Sequence, residues 1–429
     1  MKIRSTTFHF LILLFSVLLL SSCSGSSQLE RNYSFEAAID VQEGVENFDQ
    51  IIFKTFDDLN LGFYDGYLWI KLDVSNGNEL QSFMVINNDR LNRNYQFYKL
   101  DTIANKLNLV SSVKDNTEQD SRTFNFPNPN FKIDLEPNEK ASFFIVTKSD
   151  GRIVDATPRG LTMSEYTLFI NQNMIWSFIF LGIIGILLLI NIYQWNILKK
   201  KIYFYYIFYM IATFFMYVGL EGYWYKSGLN HSTIDHIIFI SIRIWVFSLL
   251  MYTSNFLETD VVAPKFFKFL KRFLIIVLSG TTLYQFIFYK TSISHLHFFE
   301  NVLSFVWLAL IATTVLFSAK ERRLELKYYL IPLFCFLLFT AIGLIDGHFQ
   351  LLPGEPFFYI KTGTVIEFIG FTYFIARLIR VKLKTTENLE RELIQNRREL
   401  VITSQKLETK IKQDQTNKKI EKTDIVGIF

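Results

Sequence analysis

The chain has 429 residues, 50% of them hydrophobic and 17% aromatic, and its apolar residues come in blocks too long for one ordinary soluble domain. The net charge of +4 is small for this length, and the Lys and Arg fall in short clusters between apolar segments. That distribution excludes a nucleic-acid binder, which needs a basic stripe or patch, and points to an integral membrane protein.

Residues 1–23 read as a signal peptide of lipoprotein type: Lys2 and Arg4 precede an apolar run from Phe8 to Leu20, too short for a stable span, and small residues follow. Leu20-Ser21-Ser22-Cys23 resembles the bacterial lipobox, whose cysteine is lipidated; in a plain signal peptide Cys23 is incidental. The other cysteine, Cys335, lies in a later apolar segment, so no disulfide can join two exported cysteines.

Residues 28–167 turn polar, with short alternating runs. In YLWIKLDV, Leu68, Ile70, Leu72 and Val74 point one way and Tyr67, Trp69, Lys71 and Asp73 the other, the period of a half-buried strand. Similar runs occur at SFMVIN, NYQFYKL, FKIDL and SFFIVTK, with turn signals at Asn76-Gly77-Asn78, Pro127-Asn128-Pro129, Pro137-Asn138 and Asp150-Gly151. This spacing predicts an exported all-β sandwich of jelly-roll type. Tyr67, Trp69 and Tyr98 offer flat apolar faces to a sugar ring; the competing reading is that they cover one sheet with the other or face a neighbouring subunit. Residues 24 to 230 hold no histidine, so no exported Ser-His-Asp set can be assembled.

Residues 172–380 contain seven apolar segments, near Met174–Trp195, Tyr203–Leu220, Ile237–Phe256, Phe273–Tyr289, Phe298–Phe317, Tyr329–Leu344 and Phe357–Leu378. Lys199 to Lys201 follow the first; Lys265, Lys268, Lys271 and Arg272 the third; Lys320, Arg322, Arg323 and Lys327 the fifth; Arg377, Arg380, Lys382 and Lys384 the seventh. By the positive-inside rule these clusters are cytosolic, so the N-terminus is expected outside and the C-terminus in the cytosol; with the lipobox-like segment the expected location is a bacterial inner membrane. The signal peptide demands the same orientation.

Ionisable groups inside a span are costly and therefore functional candidates. Arg243 in the third span and Glu367 in the seventh are expected to pair, either as a static structural contact or as a two-state relay. Lys361, a few residues into the seventh span, is expected to snorkel to the interface. Outside the signal, every histidine falls on the outer face: His231, His236, His295, His297 and His348. With Glu300 and Asp346 nearby along the chain they read as scattered interfacial residues, as a pH-responsive group, or as ligands for zinc or copper.

Residues 381–429 form a cytosolic tail. Leu393, Leu400 and Leu407 repeat every seven residues, while the companion rows are broken by Arg397 and Ser404 before Ile411, and by Asn396 and Thr403 after Leu389. The pattern predicts a weak parallel coiled coil between two copies, against the alternative of a solvated amphipathic helix.

Signal, exported β domain with the strand GYLWIKLDVSN, seven spans and cytosolic helix together resemble the bacterial seven-transmembrane receptors with diverse intracellular signalling modules, over about Asp65 to Lys384. The resemblance rests on order and on strands such as Gly66–Asn76 and Ser142–Lys148. It implies a sensor whose exported jelly roll takes a carbohydrate or similar small molecule and whose helices relay its state inward. Members carry a histidine kinase, a diguanylate cyclase or another output module after the last helix. Here no histidine follows His348, and Gly427 is the only glycine after Gly370, so neither a phospho-acceptor nor a phosphate-cradling loop is present in the tail. The expectation is therefore a receptor that is not an enzyme and has no cofactor. Its tail is the output surface, or the stub of an output module, and acts on a cytosolic signalling protein. The rival classes are a transporter, against which the spans show no clear inverted repeat, and a non-signalling glycan-binding envelope anchor.

Overall fold

The computed structural model describes residues 33–39, 45–56, 59–76, 81–87, 94–113, 126–227, 229–289, 293–319, 321–349 and 356–426; Cys23 and the signal segment lie outside them. The chain divides into two compact units, one through Gly370 and one from Phe371 onward.

Among the described residues, nine strands build the β domain: β1 Tyr33–Ile39, β2 Lys54–Thr55, β3 Asn60–Ser75, β4 Gln81–Asn87, β5 Tyr95–Asp101, β6 Lys106–Val113, β7 Asn130–Leu135, β8 Lys140–Asp155 and β9 Pro158–Thr162. Six form an antiparallel sheet in the order β2-β1-β3-β8-β5-β6, and three a second sheet, β7-β4-β9. The alternation predicted for β3 is observed. Leu68, Ile70, Leu72 and Val74 enter the core between the sheets, where they meet Val85, Phe131, Ile133 and Leu135 from the smaller sheet. Phe97 of β5 stacks on Phe143 at 5.3 Å and on Phe131 across the sandwich at 4.7 Å. Each such side chain contributes roughly 1.5–3 kcal/mol by leaving water, which makes this layer the main support of the domain.

Asp150-Gly151, expected as a turn, lies inside β8 instead. The pairing with β3 shifts there, from Phe63↔Ile153 to Asp65↔Asp150, so the residues favouring a turn are used for an irregularity in one long strand. At the other end of β8 the predicted Pro137-Asn138 turn forms, with Asn138 at a φ of 61°. The Glu139 carboxylate accepts from the Glu136 backbone N–H at 2.8 Å and pairs with Lys99 at 3.1 Å.

Seven long helices follow among the described residues: α1 Met163–Leu198, α2 Lys201–Leu220, α3 His231–Phe256, α4 Pro264–Phe288, α5 Ile293–Ala319, α6 Arg323–Phe349 and α7 Pro356–Val426. Five of them, α1, α2, α3, α5 and α6, contain stretches long and apolar enough to cross a membrane. In α4 the apolar stretch is diluted by Lys and Arg near its start and by Gln285; in α7 it carries Lys361 and Glu367 and gives way to a polar extension. The β domain leads into α1 through a capping box, in which Thr162 accepts from the Glu165 backbone N–H and the Glu165 carboxylate accepts from that of Thr162. A second contact between the two parts is made by α5, which packs against β8.

In the unit from Phe371 onward, α7 continues as helix, and its described side chains from Thr385 to Lys412 are exposed. Leu389, Leu393, Leu400, Leu407 and Ile411 are among them.

Candidate functional site

Among the described residues, buried charged groups meet at two places between the helices; a third pair, Arg322 with Glu258 at 2.8 Å, is more exposed and lies at helix ends. Arg243 leaves the middle of α3 with its side chain 5% exposed and meets Glu300 of α5 at 2.6 Å. Its other terminal nitrogen donates to Gln285 and Thr282 of α4. Since Gln285 accepts from Arg243 through its amide oxygen, its amide nitrogen is the group that faces His236 Nδ1 at 2.6 Å, so that ring nitrogen accepts. The His236 ring also lies against Phe286 and Tyr289, and Tyr289 donates its hydroxyl proton to Asp235. Four polar side chains in series, His236, Gln285, Arg243 and Glu300, thus tie α3, α4 and α5 together. The helix that supplies Glu300 is the one that packs on β8.

The second place joins α1, α2 and α7. Lys361 pairs with Glu221 at 2.7 Å, their side chains 11% and 3% exposed, and Ser177 of α1 donates to the same carboxylate at 2.6 Å. Glu221 reaches this position because the chain turns sharply at the end of α2, where Gly222 adopts a φ of 76° that a side chain would strain. Lys361 was expected at the interface; a buried carboxylate holds it between helices instead.

The expected Arg243–Glu367 pair does not form. Glu300 takes the guanidinium, and Glu367 accepts from the Tyr209 hydroxyl of α2 at 2.9 Å. The rule that marks Arg243 and Glu367 applies equally to Glu300, which lies within the fifth apolar segment; Gln285 in the fourth is a neutral amide that the rule for ionisable groups does not reach. Nothing in the spacing marks Ser177 or Glu221 as partners of Lys361.

The aromatic platform is also corrected. Trp69 and Tyr98 do come together, but as a small core on the outer face of the larger sheet, 1% and 8% exposed, beneath Phe48 of the 3-10 turn Val45–Gln50. Burial pushes the Tyr98 phenol above its usual pKa. Tyr67 stands apart from them and lies under the Lys148 ammonium, 4.8 Å from its ring centre. No open face for a sugar is left on Trp69.

Of the five histidines, the side chains of His231, His297 and His348 lie outside the described residues. His236 is engaged in the network above and His295 is exposed. No group of three or more metal-ligating side chains occurs among the described residues.

A folded β domain joined to helices able to cross a bilayer, with charges buried between those helices, defines a multi-pass membrane protein. Residues 173–377 match the family described as 7TM diverse intracellular signalling, and residues 30–155 match 7TMR-DISM extracellular 2. The chain belongs to this family of seven-transmembrane receptors with diverse intracellular signalling. No curated protein matches it in sequence.

Proposed function

We propose that the protein is a membrane sensor in which the extracellular β domain takes a small extracytoplasmic ligand and the helices pass its state to a cytosolic signalling protein. The observation that carries this reading is the position of α5, which packs on β8 and also holds Glu300 against Arg243. A displacement of β8 by ligand acts on α5 and through the ion pair on α3 and α4. A buried pair of this kind resists gradual loosening, because separating it leaves two uncompensated charges. The helical region then has discrete arrangements between which a ligand can choose.

The remaining parts fit that role. Basic clusters after α1, α3 and α5, and within α7 from Arg377 to Lys384, support seven crossings, with α4 and the first part of α7 included, the β domain outside and the tail in the cytosol of a bacterial inner membrane. The two-sheet packing supports a jelly-roll lineage for the sensor domain, and the lipobox-like segment supports lipidation at Cys23. The exposed leucine row of the tail supports a parallel homodimer with polar interruptions that keep it adjustable, acting on its partner by contact and not by catalysis.

The test introduces Leu400→Cys in a Cys335→Ser background and measures disulfide formation between copies in native membranes. Glu300→Arg is expected to change the rate several-fold, and the swap Arg243→Glu with Glu300→Arg to restore it. Equal rates in all three chains remove the relay; no disulfide in any of them removes the dimer.

A further inference from the structure

Glu367 takes part in neither ion pair. It lies eleven residues into α7, about 17 Å along the helix from Pro356, and is fully buried. Tyr209 donates to its Oε2 at 2.9 Å, while Oε1 has no hydrogen-bond partner. Among the described residues, the titratable groups that face it are phenols: Tyr209 and Tyr217 of α2, Tyr252 of α3 and Tyr329 of α6. None of these can supply a positive charge. An ionised carboxylate here is an unpaired charge in a desolvated core, the arrangement that proteins avoid by pairing or by neutralising the group.

We propose that Glu367 is a proton-binding site in the core of the helical region. A proton taken up from the aqueous phase bonds to Oε1 and leaves a neutral carboxylic acid, while Tyr209 continues to donate to Oε2. An alkali ion is the other monovalent cation that could neutralise the site, but it needs several oxygen ligands at once. Several neighbouring hydroxyls are already engaged with one another or with the backbone: Tyr206 donates to the Phe368 carbonyl, Tyr217 and Thr364 bond to each other, and Tyr329 and Thr253 do the same. A proton needs only the unpartnered Oε1, whereas an alkali ion would have to draw these groups away from their present partners. Loss of the proton places a full charge on α7 among phenols that must then turn toward it, and α7 is the helix that continues into the tail. The site therefore couples the arrangement of the helices to proton availability.

The full-length protein in lipid, compared with Glu367→Gln by infrared difference spectroscopy at neutral pH, tests this. The expected result is a carbonyl band of a protonated carboxylic acid that is present in the wild type, shifts in heavy water, is absent from the variant and does not change when sodium is replaced by choline. Carboxylate bands at this position overturn the proposal, sodium-dependent ones because an alkali ion is the ligand and sodium-independent ones because the group is solvated and ionised. Tyr209→Phe keeps the question open to decision if Glu367→Gln does not fold. Loss of the single hydrogen bond to Oε2 is expected to shift the same carbonyl band, and an unmoved band overturns the assignment to Glu367.

Discussion

Arg243 shows what a single residue can and cannot announce. Its cost in an apolar segment marks it as important, but the identity of its partner depends on which helices lie beside it, and Glu300, not Glu367, is there. Removing one charge leaves the other buried and unpaired, so Arg243→Met or Glu300→Leu alone is expected to cost about 3–5 kcal/mol. The double substitution should recover most of that loss, which unfolding in mixed micelles will measure. In the β domain, Glu139 behaves in the opposite electrostatic sense to a group in an apolar core. The Glu136 backbone N–H, and after it Lys99, hold its carboxyl below the usual carboxylate range. Its contribution is therefore fully present above the usual glutamate value of about 4.3 and is lost as pH falls through the depressed folded value. Because the pair is solvent-screened, the contribution is under about 1 kcal/mol. Glu139→Gln should lower neutral stability by no more than that amount, leave stability below the depressed value unchanged, and so flatten the acid limb of the thermal midpoint against pH between those two values.

At the scale of elements, helices α6 and α7 approach closely because Gly363 faces Phe339. A Cβ on Gly363 would stand 2.7 Å from Phe339 Cβ and 3.3 Å from the Phe336 carbonyl oxygen, whereas one on Gly182 of α1 would meet nothing within 4 Å. Gly363→Ala is expected to cost about 1–3 kcal/mol by forcing the helices apart, while Gly182→Ala should be neutral or stabilising through helix propensity. Thermal unfolding of the two variants side by side checks the contrast. The elements themselves were largely legible: the period of two in β3 and the apolar blocks that became helices follow from local chain geometry. Asp150-Gly151 was not, because the same two residues suit a turn or an irregular strand, and the pairing of β8 with the long β3 decided between them. Trp69 and Tyr98 were misjudged for a related reason. Alternation puts Trp69 off the inter-sheet face, but the 3-10 turn that carries Phe48 over it is a matter of chain path.

For the whole molecule, the described side chains of α7 from Thr385 to Lys412 are exposed, so a chain ended after Lys384 should keep the thermal midpoint of the intact protein. If the tail pairs two copies as proposed, the same chain should lose most lysine cross-linking between copies in membranes, which gel analysis will show. Class, order of parts and family were set by the sequence alone, since hydropathy, strand alternation and the distribution of Lys and Arg are properties of local segments facing a fixed solvent. Which charges meet was decided only by tertiary structure. Arg243 with Glu300, Lys361 with Glu221, and Glu367 with a phenol and, among the described residues, no cation are pairings set by the rotation and neighbourhood of whole helices. Residues that carry opposite charge announce that they need partners, and the packing of helices far apart in the chain determines which partner lies within hydrogen-bonding distance.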